Sequence, residues 1–222
     1  PSIVASNEVF DVTVRTEDRY YNRATGSIPG YQVSLNGRAL EALPPSDHGL
    51  GKIRGVKIAS PGVYRFDLRS ADGTITGLSN PVWVQPQPRK RLYWGETHAH
   101  TGMAEGQGSI DGFYRYGRDE ARLDFLGLSE HDIWLDDYEW STMQRAVREY
   151  TKPGEFVAFL GYEWTQNRDA GGHHNIFFRN AASRRIPTQK HPFLTKLYAG
   201  LRQAYDTEDV LIIPHAHQAG DW

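Results

Sequence analysis

The sequence predicts an α/β protein in two parts: a small antiparallel β-sandwich over residues 1–86, and a sheet or barrel of parallel β/α units over 92–222. Three observations predict it. Short alternating runs separated by turn chemistry fill the first part. Strand-like and helix-like runs alternate in the second. Between them, Gln85-Pro86-Gln87-Pro88 leads into Arg89-Lys90-Arg91, and residues 87–91 read as a linker stiffened by alternating prolines.

In the first part, residues 9–16 alternate, with Phe10, Val12 and Val14 on one face. Strands at 31–35, 53–58, 63–68 and 76–84 follow. Their punctuation is Ile28-Pro29-Gly30, Pro44-Pro45-Ser46-Asp47, Ser60-Pro61-Gly62 and Ala71-Asp72-Gly73. No site chemistry is visible there. The second part opens with a strand over 92–98, a helix over 110–121 and a strand over 125–128. A helix over 136–150 carries Met143, Ala146, Val147 and Tyr150 at i, i+3, i+4 and i+7, and Lys152-Pro153-Gly154 stops it. Strands at 156–160 and 175–178, a helical repeat at 194–201 and an apolar strand at 210–213 complete the pattern.

Composition narrows the chemistry. The 222 residues include no cysteine, which excludes disulfides, a thiolate nucleophile and thiolate metal ligands. A formal net charge of -2 disfavours nucleic acid as a partner, and no apolar run approaches the roughly 20 residues that span a bilayer. Pro1 opens directly into globular-looking sequence without a signal peptide, so the N-terminus reads as processed or trimmed, and the compartment, periplasmic or cytoplasmic, is left open.

The polar residues fall at strand ends. Apolar runs lead into Glu96-Thr97-His98-Ala99-His100, Ser129-Glu130-His131-Asp132, Gly161-Tyr162-Glu163-Trp164 and Pro214-His215-Ala216-His217. In parallel α/β folds the carboxyl edge of the sheet is where active sites are built. A single His-X-His is a weak signal, but i and i+2 of a strand share a face, so His98 and His100, or His215 and His217, can address one ion. Imidazole and carboxylate together suit zinc, manganese or iron, and a carboxylate can bridge two ions. Glu130 and Asp132 read as orienting the ligand imidazoles. Trp134, Trp140 and Trp164 stand near the motif ends and read as core or pocket wall.

The ordered segments Y-W-G-E-T-H-A-H-T, L-D-F-L-G-L-S-E-H-D, F-V-A-F-L-G-Y-E-W-T, G-G-H-H-N and I-I-P-H-A-H resemble successive motifs of the polymerase-and-histidinol-phosphatase superfamily. Within it they resemble most the large bacterial branch that includes carbaryl (carbamate) hydrolases. That resemblance covers about residues 92–222 and implies a distorted seven-stranded β/α barrel, incomplete at Trp222, holding two or three divalent ions. It further implies His98, His100, Glu105, His131, Glu163, His173 and His215 as metal ligands, with Glu105 in place of a more familiar aspartate. His174 and His217 are candidates for contacting substrate or supplying a proton to the leaving group. The expected activity is hydrolysis of a small-molecule ester by metal-activated hydroxide, a carbamate or aryl ester first and a phosphoester second. A non-catalytic binding module is the further alternative, and an oligomer remains open.

Overall fold

Alternation in the first 93 residues builds nine short strands: β1 (Ile3–Ala5), β2 (Val9–Arg15), β3 (Tyr31–Leu35), β4 (Arg38–Ala39), β5 (Leu50–Lys57), β6 (Gly62–Tyr64), β7 (Phe66–Ser70), β8 (Thr76–Leu78) and β9 (Val82–Gln85). In this computed structural model, which describes residues 1–215, they form three sheets, ordered β1-β9-β6, β2-β5 and β4-β3-β7-β8. Their inward residues, among them Val4, Phe10, Val33, Ile53, Phe66 and Val84, share one core. The expected runs at 63–68 and 76–84 each break into two strands that join different sheets. The arrangement also departs from a purely antiparallel sandwich, because β1 pairs with β9 in parallel. Arg91, expected in the linker, is pinned: its guanidinium grips both Glu8 carboxylate oxygens at 2.9 and 2.7 Å and donates to the Ile3 carbonyl.

Chain division falls between Tyr93 and Trp94. The second unit has strands β10 (Gly95–Glu96), β11 (Phe125–Gly127), β12 (Val157–Thr165), β13 (His173–Phe178) and β14 (Val210–Pro214), side by side in that order in one sheet. Helices α1 (Ile110–Arg115), α2 (Asp137–Tyr150) and α3 (Leu194–Ala204) lie between them in sequence, and α1 continues into a π-helical turn, Tyr116–Glu120. Asp136 starts α2 with a reciprocal capping box to Glu139.

This overturns the expected seven-stranded β/α barrel. Among the described residues the unit is a five-stranded mixed sheet, and the molecule is mostly β. The pairings β10–β11 and β11–β12 are parallel, but β13 is antiparallel to both β12 and β14. Connection length is the cause. A parallel return needs a crossover of roughly a dozen residues or more, and residues 166–172 are too few. They turn through a 3₁₀ segment, Arg168–Ala170, and through Gly171 and Gly172 at φ 125° and 74°, and β13 folds back as a hairpin.

Two faces result from the pleat. Leu126, Leu128, Ala158, Leu160, Tyr162, Trp164, Ile176 and Phe178 point to the helices and form a core with Trp140, Met143, Val147, Leu197 and Leu201. The opposite face carries Gly127, Ser129, His131, Gly161, Glu163, Thr165, His173, Asn175 and Phe177 in register. Gly127 and Gly161 are required there, since a Cβ at either would collide with the Phe177 ring. No helix among the described residues is long and apolar enough to cross a membrane.

Candidate metal centre

Because β14 runs with β10–β12, four carboxyl ends meet at one edge, joined by the amino end of the reversed β13. Glu96 ends β10 by accepting from the Thr97 and His98 amides with one carboxylate oxygen, at 2.9 and 2.8 Å. The chain then turns to present His98 and His100. Gly106 and Ala104 fold back on the Thr101 carbonyl at 3.0 and 3.1 Å, which brings Glu105 round to His131. Contrary to the sequence expectation, Glu163 lies inside its strand, β12, and pairs with Asn175 across the hairpin.

The seven residues expected as ligands converge into three interlocking groups: His98, Glu163 and His215; His131, Glu163 and His173; His100, Glu105 and His131. Within each group the ligand atoms lie within 4.8 Å of one another. Glu163 is fully buried and central. Its carboxylate stands 2.5 Å from His173 Nδ1, 3.4 Å from His100 Nε2, 3.5 Å from His131 Nδ1 and 3.7 Å from His98 Nδ1. His98 and His215 face each other Nε2 to Nε2 at 3.0 Å, and His131 Nε2 meets Glu105 Oε1 at 3.4 Å. A tetrahedral ion with ligand bonds of about 2.0–2.1 Å separates its ligands by about 3.3 Å. Donor type and spacing therefore both fit divalent ions.

Burial favours the neutral, lone-pair-bearing form of two of these imidazoles. Burial, reinforced by the neighbouring His131 and His98, pushes His100 down to about 4. Burial likewise lowers His131, against the pull of Glu105. Behind them stand two fully buried carboxyls, Glu130 and Asp132, both raised by burial. One Glu130 oxygen accepts from the Thr101 amide and hydroxyl, while the other faces His100 Nδ1 at 3.9 Å. Asp132 accepts from the Thr165 amide and from the amide and hydroxyl of Thr188.

Three polar residues of the site lie within the quoted segments but were given no role by the sequence. Ser129 Oγ and the Asn175 amide both reach His98 Nδ1, at 3.2 Å and 3.1 Å. Thr165 Oγ1 lies 2.7 Å from His131 Nδ1. Strand parity was the one signal available, because each sits two residues from a ligand on the same face: Ser129 by His131, Thr165 by Glu163, Asn175 by His173.

Other expected residues are placed elsewhere. His174 points to the opposite face of β13, buried beside Trp164 with ring centroids 6.0 Å apart, so it is not brought to the cluster. His217 lies outside the described residues. Trp140 and Trp164 are core residues whose indole N–H groups donate to the Ser183 and His191 carbonyls. Trp134 alone of the three borders the site, half-exposed and edge-on to His131 at 5.0 Å.

Comparison with known proteins places the site in uncharacterised company. A family model described as "Protein of unknown function (DUF3604)" matches residues 118–220, under half of the chain. An uncharacterised protein of Chlamydia muridarum is 26% identical over 179 residues, covering 78% of this chain and 29% of the relative. A second, from Chlamydia pneumoniae, is 24% identical over 207 residues, covering 89% of this chain and 33% of the relative. The chain thus spans about a third of the length of the curated relatives it matches. These matches, with the mixed sheet, overturn the resemblance to the polymerase-and-histidinol-phosphatase superfamily: what the chain is similar to is a domain of unknown function and uncharacterised chlamydial proteins.

Proposed function

We propose that the chain carries the ion-binding part of a divalent-metal-dependent hydrolase that cleaves an ester bond of a small molecule. One observation carries the reading: three groups of imidazole and carboxylate interlock, two through Glu163 and two through His131, around a buried carboxylate whose two oxygens could serve more than one ion. Such ions, zinc, manganese or iron, would lower the pKa of water toward about 7 and offset charge developing on oxygen. The residues' own part is to hold the charge. Glu163 would supply the buried carboxylate at the centre, His98, His100, His131, His173 and His215 would surround it with imidazole nitrogens, and Glu105 would complete the outermost group. Carbamate, aryl ester and phosphoester substrates need the same charge arrangement, so preference among them is read from turnover.

Metal content by mass spectrometry tests the reading. Wild type is expected to hold two or three equivalents after incubation with zinc or manganese, and to hydrolyse naphthyl carbamate or nitrophenyl phosphate. Glu163→Ala, which breaks two of the three groups, is expected to lose at least two equivalents with the activity. Wild-type protein that retains no ion after such incubation would falsify the hydrolase reading and favour a binding module.

A further inference from the structure

An imidazole shows an ion only the nitrogen that is not already protonated, and its protonated nitrogen is chosen by the hydrogen bond on the far side. His131 belongs to two of the three groups, so its tautomer decides which edge of the ring can ligate. The Thr165 hydroxyl stands against one edge of the ring and Glu105 against the other. Thr165 has a single hydroxyl proton and two acceptors in reach, the Glu163 carbonyl at 3.0 Å and His131 Nδ1 at 2.7 Å. With that proton on the carbonyl, an oxygen that can only accept, Oγ1 accepts from Nδ1. Nδ1 then carries the imidazole proton, and Nε2, 3.4 Å from Glu105 Oε1, is the nitrogen open to an ion.

Three contacts keep this relay in place. The Thr165 amide donates to Asp132 Oδ1 at 3.1 Å, the Asp132 amide donates to the Glu163 carbonyl at 3.0 Å, and the Glu163 amide donates to the Glu130 carbonyl at 3.0 Å. Thr165 ends β12, opposite His173 across the hairpin. The amide contact to Asp132 fixes the backbone from which the hydroxyl projects.

We propose that Thr165 is a positioning residue of the metal centre: by accepting the Nδ1 proton it commits His131 to bind through Nε2, and so assigns that imidazole to the ion held with His100 and Glu105. The consequence for ions rests on the ion-binding reading above. The tautomer itself rests on hydrogen bonds within the protein.

The test separates the two. Nitrogen-15 histidine spectra of the metal-free full chain should show His131 protonated at Nδ1, in wild type and in Thr165→Ser. In Thr165→Val the Nδ1-H signature should be lost or should exchange with the Nε2-H form. Calorimetric titration with zinc should then show one class of site weakened by about 10–100-fold in Thr165→Val, with Thr165→Ser within a few-fold of wild type. The unfolding midpoint of each metal-free variant identifies any misfolded protein. An Nε2-H tautomer in wild type overturns the proposal, as does a Thr165→Val protein with unchanged tautomer and zinc affinity. Equal weakening in Thr165→Ser and Thr165→Val reduces Thr165 to a packing role and overturns it too. If wild type binds no zinc but shows the Nδ1-H form lost in Thr165→Val, the hydrolase reading fails while the assignment stands.

Discussion

Two proposed carboxylate ligands differ in what they would hold. Glu163 is fully buried in two groups, whereas the Glu105 side chain is 59% exposed and belongs to one. Glu105→Gln should therefore cost one equivalent of metal in mass spectrometry and leave the remainder, where Glu163→Ala loses at least two. His100 makes a separate prediction about acidity. Its folded-state pKa lies at about 4, below the ordinary 6.5, because burial disfavours the cation. Its stabilising contribution is complete above pH 6.5. Between 6.5 and about 4 the unfolded chain binds a proton that the folded chain refuses, so the contribution is lost as pH falls. Glu130 and Asp132, raised by burial, act with the opposite sign, but they are common to wild type and His100→Asn and drop out of the comparison. Urea midpoints of the two metal-free proteins should converge from pH 7 to pH 5, and a constant gap would refute the assignment.

At the scale of elements, the hairpin β12–β13 does the positioning. Phe177 lies across Gly161 and Gly127, with no room for a methyl group at either. Gly161→Ala should destabilise the protein by about 1–3 kcal/mol through overpacking, measured by urea unfolding. It should also loosen metal binding, because Gly161 and Glu163 share a face of one strand. Much of this was legible beforehand. Apolar runs ending in histidine or carboxylate locate the sheet edge, and the i, i+2 rule puts neighbouring ligands on one side. The reversal of β13 was less accessible, since a run such as 173–178 reads alike in either direction. Only the shortness of 166–172 argues for a hairpin, and it becomes decisive once β12 is known to run on to Thr165 rather than stop near 160. His174 shows the cost: in a strand starting at His173, adjacent histidines face opposite ways, and one of them must enter the core. Ser129, Thr165 and Asn175 were hidden for another reason. Serine, threonine and asparagine are common on half-buried strands, and nothing in the types themselves marks a residue that orients a neighbour.

Over the whole molecule, each core is built of its own unit's residues, and all seven proposed ligands belong to the second unit. Ion binding should therefore raise the melting transition of that unit, by about 2.7 kcal/mol at a free ion concentration one hundred times Kd. Calorimetry with and without zinc checks this, and a transition unmoved by saturating metal counts against specific binding. The short turn at 166–172 also sets a timetable. Glu163 and His173 are ten residues apart and meet as soon as one local hairpin closes, whereas His98 and His215 are separated by 117. Local contacts close first, because the entropy of joining chain ends grows with the loop between them. On a ribosome, Glu163 and His173 can assemble once β13 has emerged, and His98 meets His215 only after β14 has followed. The centre would then be built from its middle outward, with the first ion captured by a nascent hairpin and the group containing His215 formed after it.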